Sequence, residues 1–353
     1  MHIPFCQKKC AYCDFYSAVL SEELIDRYLK AISLSLKQWG GKINRPIDTI
    51  YLGGGTPSIL NHRLIPLLDT VKNNFKVKED AEITLEVNPQ HNIKEILVNA
   101  KAAGVNRISI GAQSGNDNEL EMLGRMHAAL DTENAVKTAR SLGFSNISLD
   151  LMLGLPNSNL DTLKNSLDFV IFQNPEHISA YILKIEQGTA FFKNKETLNL
   201  PSEDNICEQY LFMCQYLKEN GYSHYEISNF CKDNKKGLHN LKYWHCEEYL
   251  GIGPSAHSYL DGKRFYYPKN LKGFISGNSP IPDGVGGDKP EKLMLELRLS
   301  DGILLSELTP KAHKKCQLYI KNSLATINND RFALTDKGML VSNTIISEIL
   351  EEL

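Results

Sequence analysis

The sequence predicts an α/β protein: a partial (βα)6, TIM-like barrel followed by a smaller, mainly helical, winged-helix-like domain. Three observations lead there. Apolar strand-length runs alternate with helix-period segments six times in about 185 residues, the pattern of parallel strands joined by crossover helices. No Gly-rich dinucleotide fingerprint follows the first strand, which argues against an open, doubly wound sheet. The polar residues of interest (Cys6, Gly53 to Thr56, Glu86, Gln113 and Asp150) fall at strand ends, where barrels carry their chemistry.

Met1 to Pro4 reads as the end of a strand that feeds a cysteine-rich loop. Residues 21–39 form a helix, with Leu24, Tyr28, Ile32 and Leu36 at helical spacing and Ser21 suited to its start. Strand 47–52 runs into Gly53-Gly54-Gly55-Thr56-Pro57, and a helix follows over 61–75. Strand 83–87 ends in Asn88-Pro89, and helix 93–103 comes next. Strand 107–111 closes in Ala112-Gln113-Ser114 before helix 131–142. Strand 147–151 ends at Gly154-Leu155-Pro156, helix 160–173 follows, and 177–183 is the sixth strand.

Beyond residue 200 the character changes. The expected division is a barrel over 1–200, an extension over 201–285 and a C-terminal domain over 286–353. Residues 203–221 read as a helix, with Cys207 and Cys214 seven apart on one face as buried small apolar groups. Residues 276–290 are rich in Gly, Pro and Asp and read as a linker or long loop. Helices and a turn into a short strand at 331–340 give the winged-helix-like end.

Composition narrows the function. The chain has 353 residues, 42% hydrophobic and 23% charged, ordinary for a soluble globular protein. A formal net charge of −3 gives no general attraction to nucleic acid, so none is expected as a partner. No apolar run has transmembrane length, and eight cysteines in a chain this long do not form a disulfide framework. The reducing cytoplasm is the expected compartment.

Cys6, Cys10 and Cys13 stand at Cys-x3-Cys-x2-Cys. Thiolates in such a loop favour zinc, copper(I) or an iron–sulfur cluster. Zinc would need a fourth ligand, for which His2 and Asp14 are at hand, and ordinary cytosolic thiols are a third reading. A cubane cluster on three thiolates leaves one iron open to a small chelator.

The stretch His2-Ile3-Pro4-Phe5-Cys6 with Cys10, Tyr12 and Cys13 resembles the cluster loop of the radical S-adenosylmethionine (SAM) superfamily. The resemblance implies a [4Fe-4S] cluster on the three cysteines, SAM on the open iron, and an electron donor for one-electron SAM cleavage. It implies that Gly54, Gly55 and Thr56 meet the methionyl amino group and that Tyr12 lies by the adenine. Four further contexts resemble the SAM-binding positions of the coproporphyrinogen-dehydrogenase-like branch: Glu86-x-Asn88-Pro89, Gly111-Ala112-Gln113-Ser114, Arg125, and Asp150 before Gly154-Leu155-Pro156. Arg125 has a planar fork suited to a carboxylate, and Glu86 and Asp150 suit ribose hydroxyls, an amino group or a sulfonium.

Within that branch the dehydrogenases carry a fourth cysteine two residues past the third, where this chain has Phe15. Tyr12-Cys13-Asp14-Phe15 and His239-Asn240-Leu241-Lys242-Tyr243-Trp244 resemble the heme-chaperone branch, the HemW family. That resemblance implies heme binding at His239, Asn240, Tyr243 and Trp244, with His239 on the iron and His245 and Cys246 as rival ligands. It implies delivery of heme to acceptor haemoproteins, respiratory ones among them, with peripheral membrane contact allowed and a monomer or homodimer as the working form. The alternative is an oxygen-independent coproporphyrinogen III dehydrogenase. Relatives carry a tyrosine two residues before the histidine of His-Ile-Pro-Phe-Cys. Met1 directly precedes His2 here, so a native start upstream of Met1 or a short first strand is expected.

Overall fold

The computed structural model describes residues 1–89 and 92–353. Its centre is an eight-stranded sheet. We label its strands β1 (His2–Ile3), β2 (Ile47–Gly54), β3 (Val77–Val87), β4 (Arg107–Gln113), β5 (Ile147–Leu153), β6 (His177–Ile182), β7 (Ser223–Glu226) and β8 (Asn229–Cys231). The order is β1-β2-β3-β4-β5-β6-β8-β7. The first six strands are parallel, and β8 and β7 join antiparallel. The expected barrel is therefore present, and its sheet continues past residue 200 into the extension.

Register explains why this sheet curls around a polar interior. Leu52, Leu85, Ile108 and Ile147 are in register across four strands, as are Val87, Ile110, Leu149 and Ile178. All eight lie in the hydrophobic core. Side chains on a strand alternate between faces, so the neighbours of these residues turn the other way. Those neighbours are Tyr51, Thr84, Glu86, Arg107, Ser109, Ser148, Asp150, His177 and Ser179, and they fill the barrel. The covering helices supply the matching apolar faces. Helix α1 (Glu22–Gly40) buries Ile25, Tyr28, Ile32 and Leu36. Ser21 caps it, accepting from the Leu24 N–H, and Glu22 and Glu23 complement the dipole in its first turn.

One end of the barrel is plugged by a buried polar network. His177 Nδ1 lies 2.8 Å from Ser148 Oγ, and its Nε2 lies 2.8 Å from the Tyr225 hydroxyl. Tyr225 in turn accepts from the Gly237 N–H at 3.0 Å. Glu82 accepts from Leu238 N and His239 N, both at 3.1 Å. These two donors begin the helix Leu238–Trp244, so a buried carboxylate caps the element that carries His239.

Several local expectations change. The helix expected over 61–75 begins at Leu64, because Pro57–Arg63 is a 3-10 segment with a kink at Asn61. Residues 276–290 are not simply a linker: Ile281–Val285 is a strand pairing with Lys263–Tyr266, which also pairs with His257–Leu260. Every residue of 281–285 is exposed, so no apolar alternation marks it. Cys214 is buried as expected, but Cys207 is exposed, and the fully buried stripe of helix Glu203–Glu219 begins only at Gln209. The C-terminal part pairs strand Arg331–Leu334 with Ile303–Leu304 and Ala325–Asn328. Helices Lys289–Glu296, Pro310–Lys321 and Ser342–Leu350 surround that wing. No described helix is long and apolar enough to cross a membrane.

Leu85 tests the packing. It is fully buried between Leu52 and Ile108. Leu85→Ala is expected to cost about 2–5 kcal/mol, read as a lower urea midpoint at unchanged m-value. A loss under about 1 kcal/mol would show that the sheet face is not packed as described.

Candidate functional site

The cysteine loop is bracketed from two sides. Ala11 N–H donates to Leu123 O at 3.0 Å, and Ala11 O accepts from Phe191 N–H at 2.9 Å. Ala11 and Tyr12 pack on a separate small apolar cluster of Leu123, Met152, Leu155, Leu183 and Phe191. Below the loop, Phe5 O accepts from Thr56 N–H at 2.7 Å, which ties Cys6 to the end of β2. Each of the three thiols is half-buried.

Two of the sulfurs have polar partners. The Thr56 hydroxyl donates to Cys6 Sγ at 3.7 Å, and Arg125 Nη1 donates to Cys10 Sγ at 3.7 Å. Burial, then the neighbouring Cys10 and Cys6, push the Cys13 thiol up. Three thiolates on one loop can each take a different iron of a polynuclear cluster. Donors to the sulfurs are the outer contacts that tune such a centre.

Above the loop the strand ends converge. Glu86 Oε2 accepts from Gly54 N–H at 3.1 Å, and Oε1 accepts from the Tyr51 hydroxyl at 2.8 Å. Burial raises the Glu86 carboxyl despite these two donors. Gly54 has φ +118°, and a Cβ there would fall 1.9 Å from the His2 ring, so only glycine fits the turn. Asp150 accepts from Ser109 Oγ at 3.1 Å, and burial, then the charge of Glu86, push its carboxyl up to about 7. Gln113 is buried with φ +67°, a left-handed backbone that a non-glycine residue rarely takes. The Tyr181 hydroxyl donates to its Oε1 at 2.8 Å.

Arg125 follows the short helix Asp117–Met122 and folds back over the strand ends. Its Nη2 donates to Asn88 Oδ1 at 2.7 Å and to Gly111 O at 2.8 Å. A Cβ on Gly111 would lie 2.9 Å from Gln113 and 3.0 Å from Arg125, so this glycine makes room for both. Asn88 also donates to Thr56 Oγ1 at 2.9 Å. A chain Cys10–Arg125–Asn88–Thr56–Cys6 thus runs from one sulfur to another. Tyr12, half-buried, stands beside Arg125 and Cys10.

A cleft of about 810 Å³ opens next to this site. Asp14 and Phe15, which follow Cys13, line it together with Gly53, Gly54 and Glu86. His239, Tyr243 and Tyr249 line it too. His239 is held on both ring nitrogens: Nδ1 lies 2.8 Å from Thr49 Oγ1, and Nε2 lies 2.8 Å from the Tyr243 hydroxyl. Its ring stacks on Tyr51 at 5.2 Å. Burial lowers its pKa to about 3, so the imidazole is neutral at physiological pH. Asn240 and Trp244 do not line this cleft; Trp244 instead lies against Glu226. Of the rival ligands, Cys246 lines the cleft, while His245 Nδ1 stands 3.6 Å from Glu296.

The fold therefore gathers Cys6, Cys10, Thr56 and Arg125 into one connected set, and Gly54, Glu86, His239 and Tyr243 onto one cleft. Sequence reasoning gave no site role to Asn88, Tyr51, Thr49, Ser109 and Tyr181. Asn88 stood in the Glu86-x-Asn88-Pro89 context, but only as a marker for Glu86. The others alternate with core apolar residues on strands, which marks them as inward-facing but not as site residues.

The radical SAM superfamily pattern matches residues 1–170. The heme chaperone HemW of Mycobacterium tuberculosis is 33% identical over 365 residues, covering 99% of this chain and 94% of that protein. The heme chaperone HemW of Bacillus subtilis is 34% identical over 374 residues, covering 100% of this chain and 99% of that protein. The structure of coproporphyrinogen III oxidase (HemN) from Escherichia coli, a radical SAM enzyme, superposes with a TM-score of 0.84 at 22% identity. That superposition covers 100% of this chain and 89% of the other, and it establishes the fold. On full-length similarity together with this architecture, the chain belongs to the HemW family of the radical SAM superfamily.

Proposed function

We propose that this protein binds heme in the cleft beside a [4Fe-4S] and SAM site and passes it to acceptor haemoproteins, respiratory ones among them. The observation that carries this reading is the continuity of the cleft. The same Glu86 and Gly54 that would meet SAM also line the space in front of His239. The names of the relatives support heme as the cargo.

Cys6, Cys10 and Cys13 would hold the cluster, and a [4Fe-4S] centre with SAM supplies one-electron chemistry when both are bound. Thr56 and Arg125 place donors on two of the sulfurs, the kind of outer contact that tunes a bound centre. Arg125 can turn its fork from Asn88 to a carboxylate without giving up the Gly111 carbonyl. Glu86 and Asp150 present two raised carboxyls that a cation would bring down to their ionised forms. The neighbouring cleft falls within the size range of cofactor sites and has aromatic walls in Tyr51, Tyr243 and Tyr249.

Heme would meet a ready ligand. His239 is already neutral, the form that binds iron, so no proton has to leave first. Thr49 fixes the ring through Nδ1, which leaves Nε2 as the ligating atom once Tyr243 swings aside.

Anaerobic reconstitution with iron, sulfide and haemin tests the reading. Wild-type protein is expected to turn brown and to give a haem-dependent Soret band, with no product from coproporphyrinogen and SAM. Cys10→Ala should lose the iron and sulfide, and His239→Ala the Soret band. Coproporphyrinogen conversion without haem binding would favour the dehydrogenase instead. Because His239 is neutral, the Soret intensity should stay flat between about pH 5 and 8. A titration in that window would mean that another group binds the iron.

Asp150 gives a second pH test. Its folded pKa lies above the unfolded value, so its contribution to stability is full in acid and fades as pH rises from about 4 to about 7. Asp150→Asn should match wild type at the acid end and exceed it above pH 7, by about 4 kcal/mol. Thermal unfolding of the cofactor-free chain across pH measures the gap. A constant gap would show that Asp150 is not held protonated.

A further inference from the structure

We propose that Cys214, His224 and Asp336 form a second metal site, selective for zinc, that clasps the C-terminal domain to the far edge of the barrel sheet. The three residues come from three separate elements. Cys214 lies on helix Glu203–Glu219, His224 on edge strand β7, and Asp336 at the start of helix Asp336–Leu340. One ligand atom from each falls within 4.8 Å of the other two, the spacing a single ion needs. The site shares no residue with the cysteine loop or the His239 cleft, so it stands or falls apart from the heme reading.

The histidine is held in place for ligation. His224 Nδ1 lies 2.8 Å from Asp336 Oδ1, so Nδ1 is the ring atom that would share an ion with that carboxylate. Nε2, across the ring, is buried and has no hydrogen-bond partner. The imidazole cannot turn freely, because it stacks on Phe230 at 4.2 Å. Cys214 is 2% exposed, and the Tyr210 hydroxyl stands by its sulfur while donating to Ile227 O at 3.1 Å.

The donor set selects the ion. One sulfur, one nitrogen and one carboxylate oxygen suit Zn²⁺, whereas Mg²⁺ and Ca²⁺ want oxygen shells. Charge also closes. A thiolate and a carboxylate together carry −2, which a divalent ion cancels, so the buried assembly is neutral. Without an ion, burial and the Asp336 charge keep the thiol protonated. Binding therefore releases the Cys214 proton to solvent. Asp336 is half-exposed and offers both the path of entry and room for water in the fourth position.

The test uses the full-length chain with Cys6, Cys10 and Cys13 changed to Ala, which removes the competing loop thiols. Titration with Co²⁺ is expected to give one equivalent with a thiolate-to-cobalt charge-transfer band, displaced by Zn²⁺. The band should vanish in Cys214→Ser, and affinity should fall at least about tenfold in Asp336→Asn. Zinc should also raise the unfolding temperature of the parent chain and not of Cys214→Ser. Absence of a charge-transfer band, or its persistence in Cys214→Ser, overturns the site. Where Cys214→Ser fails to fold, the half-exposed Asp336→Asn decides, and unchanged cobalt affinity in that variant overturns the proposal equally.

Discussion

A single carboxylate stands between the sulfur site and the histidine cleft. Glu86 accepts from the Gly54 N–H with one oxygen and from the Tyr51 hydroxyl with the other. The first contact fixes the glycine turn that follows β2 and so positions Thr56 under Cys6. The second fixes Tyr51, on whose face His239 stacks. Moving Glu86 would therefore disturb the sulfur site and the histidine cleft together. Its ability to bridge rests on strand register, since β3 places Glu86 beside the end of β2.

The barrel interior shows what such a joint requires. Polar side chains inside a barrel are tolerated only when each finds a partner. Here most do, through Ser148–His177–Tyr225 at one end and Arg125–Asn88–Thr56 at the other. The same low-dielectric setting that makes the bonds necessary also displaces the titrations. It raises Glu86 and Asp150 and lowers His239, so all three favour their uncharged forms. A cationic ligand at the carboxylates and an iron at the imidazole would both meet groups with little competing solvation.

The strands and the three-cysteine loop were legible because local chemistry writes them. Runs such as Arg107 to Gly111 alternate apolar and small or polar residues, and thiol spacing is a sequence fact. The contexts of Glu86, Gln113, Arg125 and Asp150 were legible by resemblance, and the structure places Glu86 and Gln113 at strand ends and Arg125 beyond one, but Asp150 in the middle of β5, which runs two residues further than expected. What stayed hidden was created by register and crossing. Asn88 and Arg125 are 37 residues apart and meet only because Arg125 folds back over β4. Thr49 and His239 are separated by 190 residues. Strand Ile281–Val285 carried no signal because none of its residues is buried. Cys207 broke its expected pairing with Cys214 because burial in that helix begins only at Gln209.

The backbone of the cysteine loop is anchored on both sides of Ala11. A free loop of eight residues with three thiols could collapse onto one zinc ion or close a disulfide. This one cannot contract easily, since Ala11 is held at its N–H by Leu123 and at its carbonyl by Phe191. Tyr12 packs into the apolar cluster between those two anchors. The loop's backbone is thereby fixed, at the cost of loop entropy already lost on folding. A preference for a polynuclear centre over a single ion would then rest on geometry held by the backbone, rather than on the identity of the thiols, which both would accept. The same anchors carry the consequence outward. Leu123 precedes Arg125 by two residues, so any shift of the loop on taking up a cluster would be felt by the guanidinium that touches Cys10.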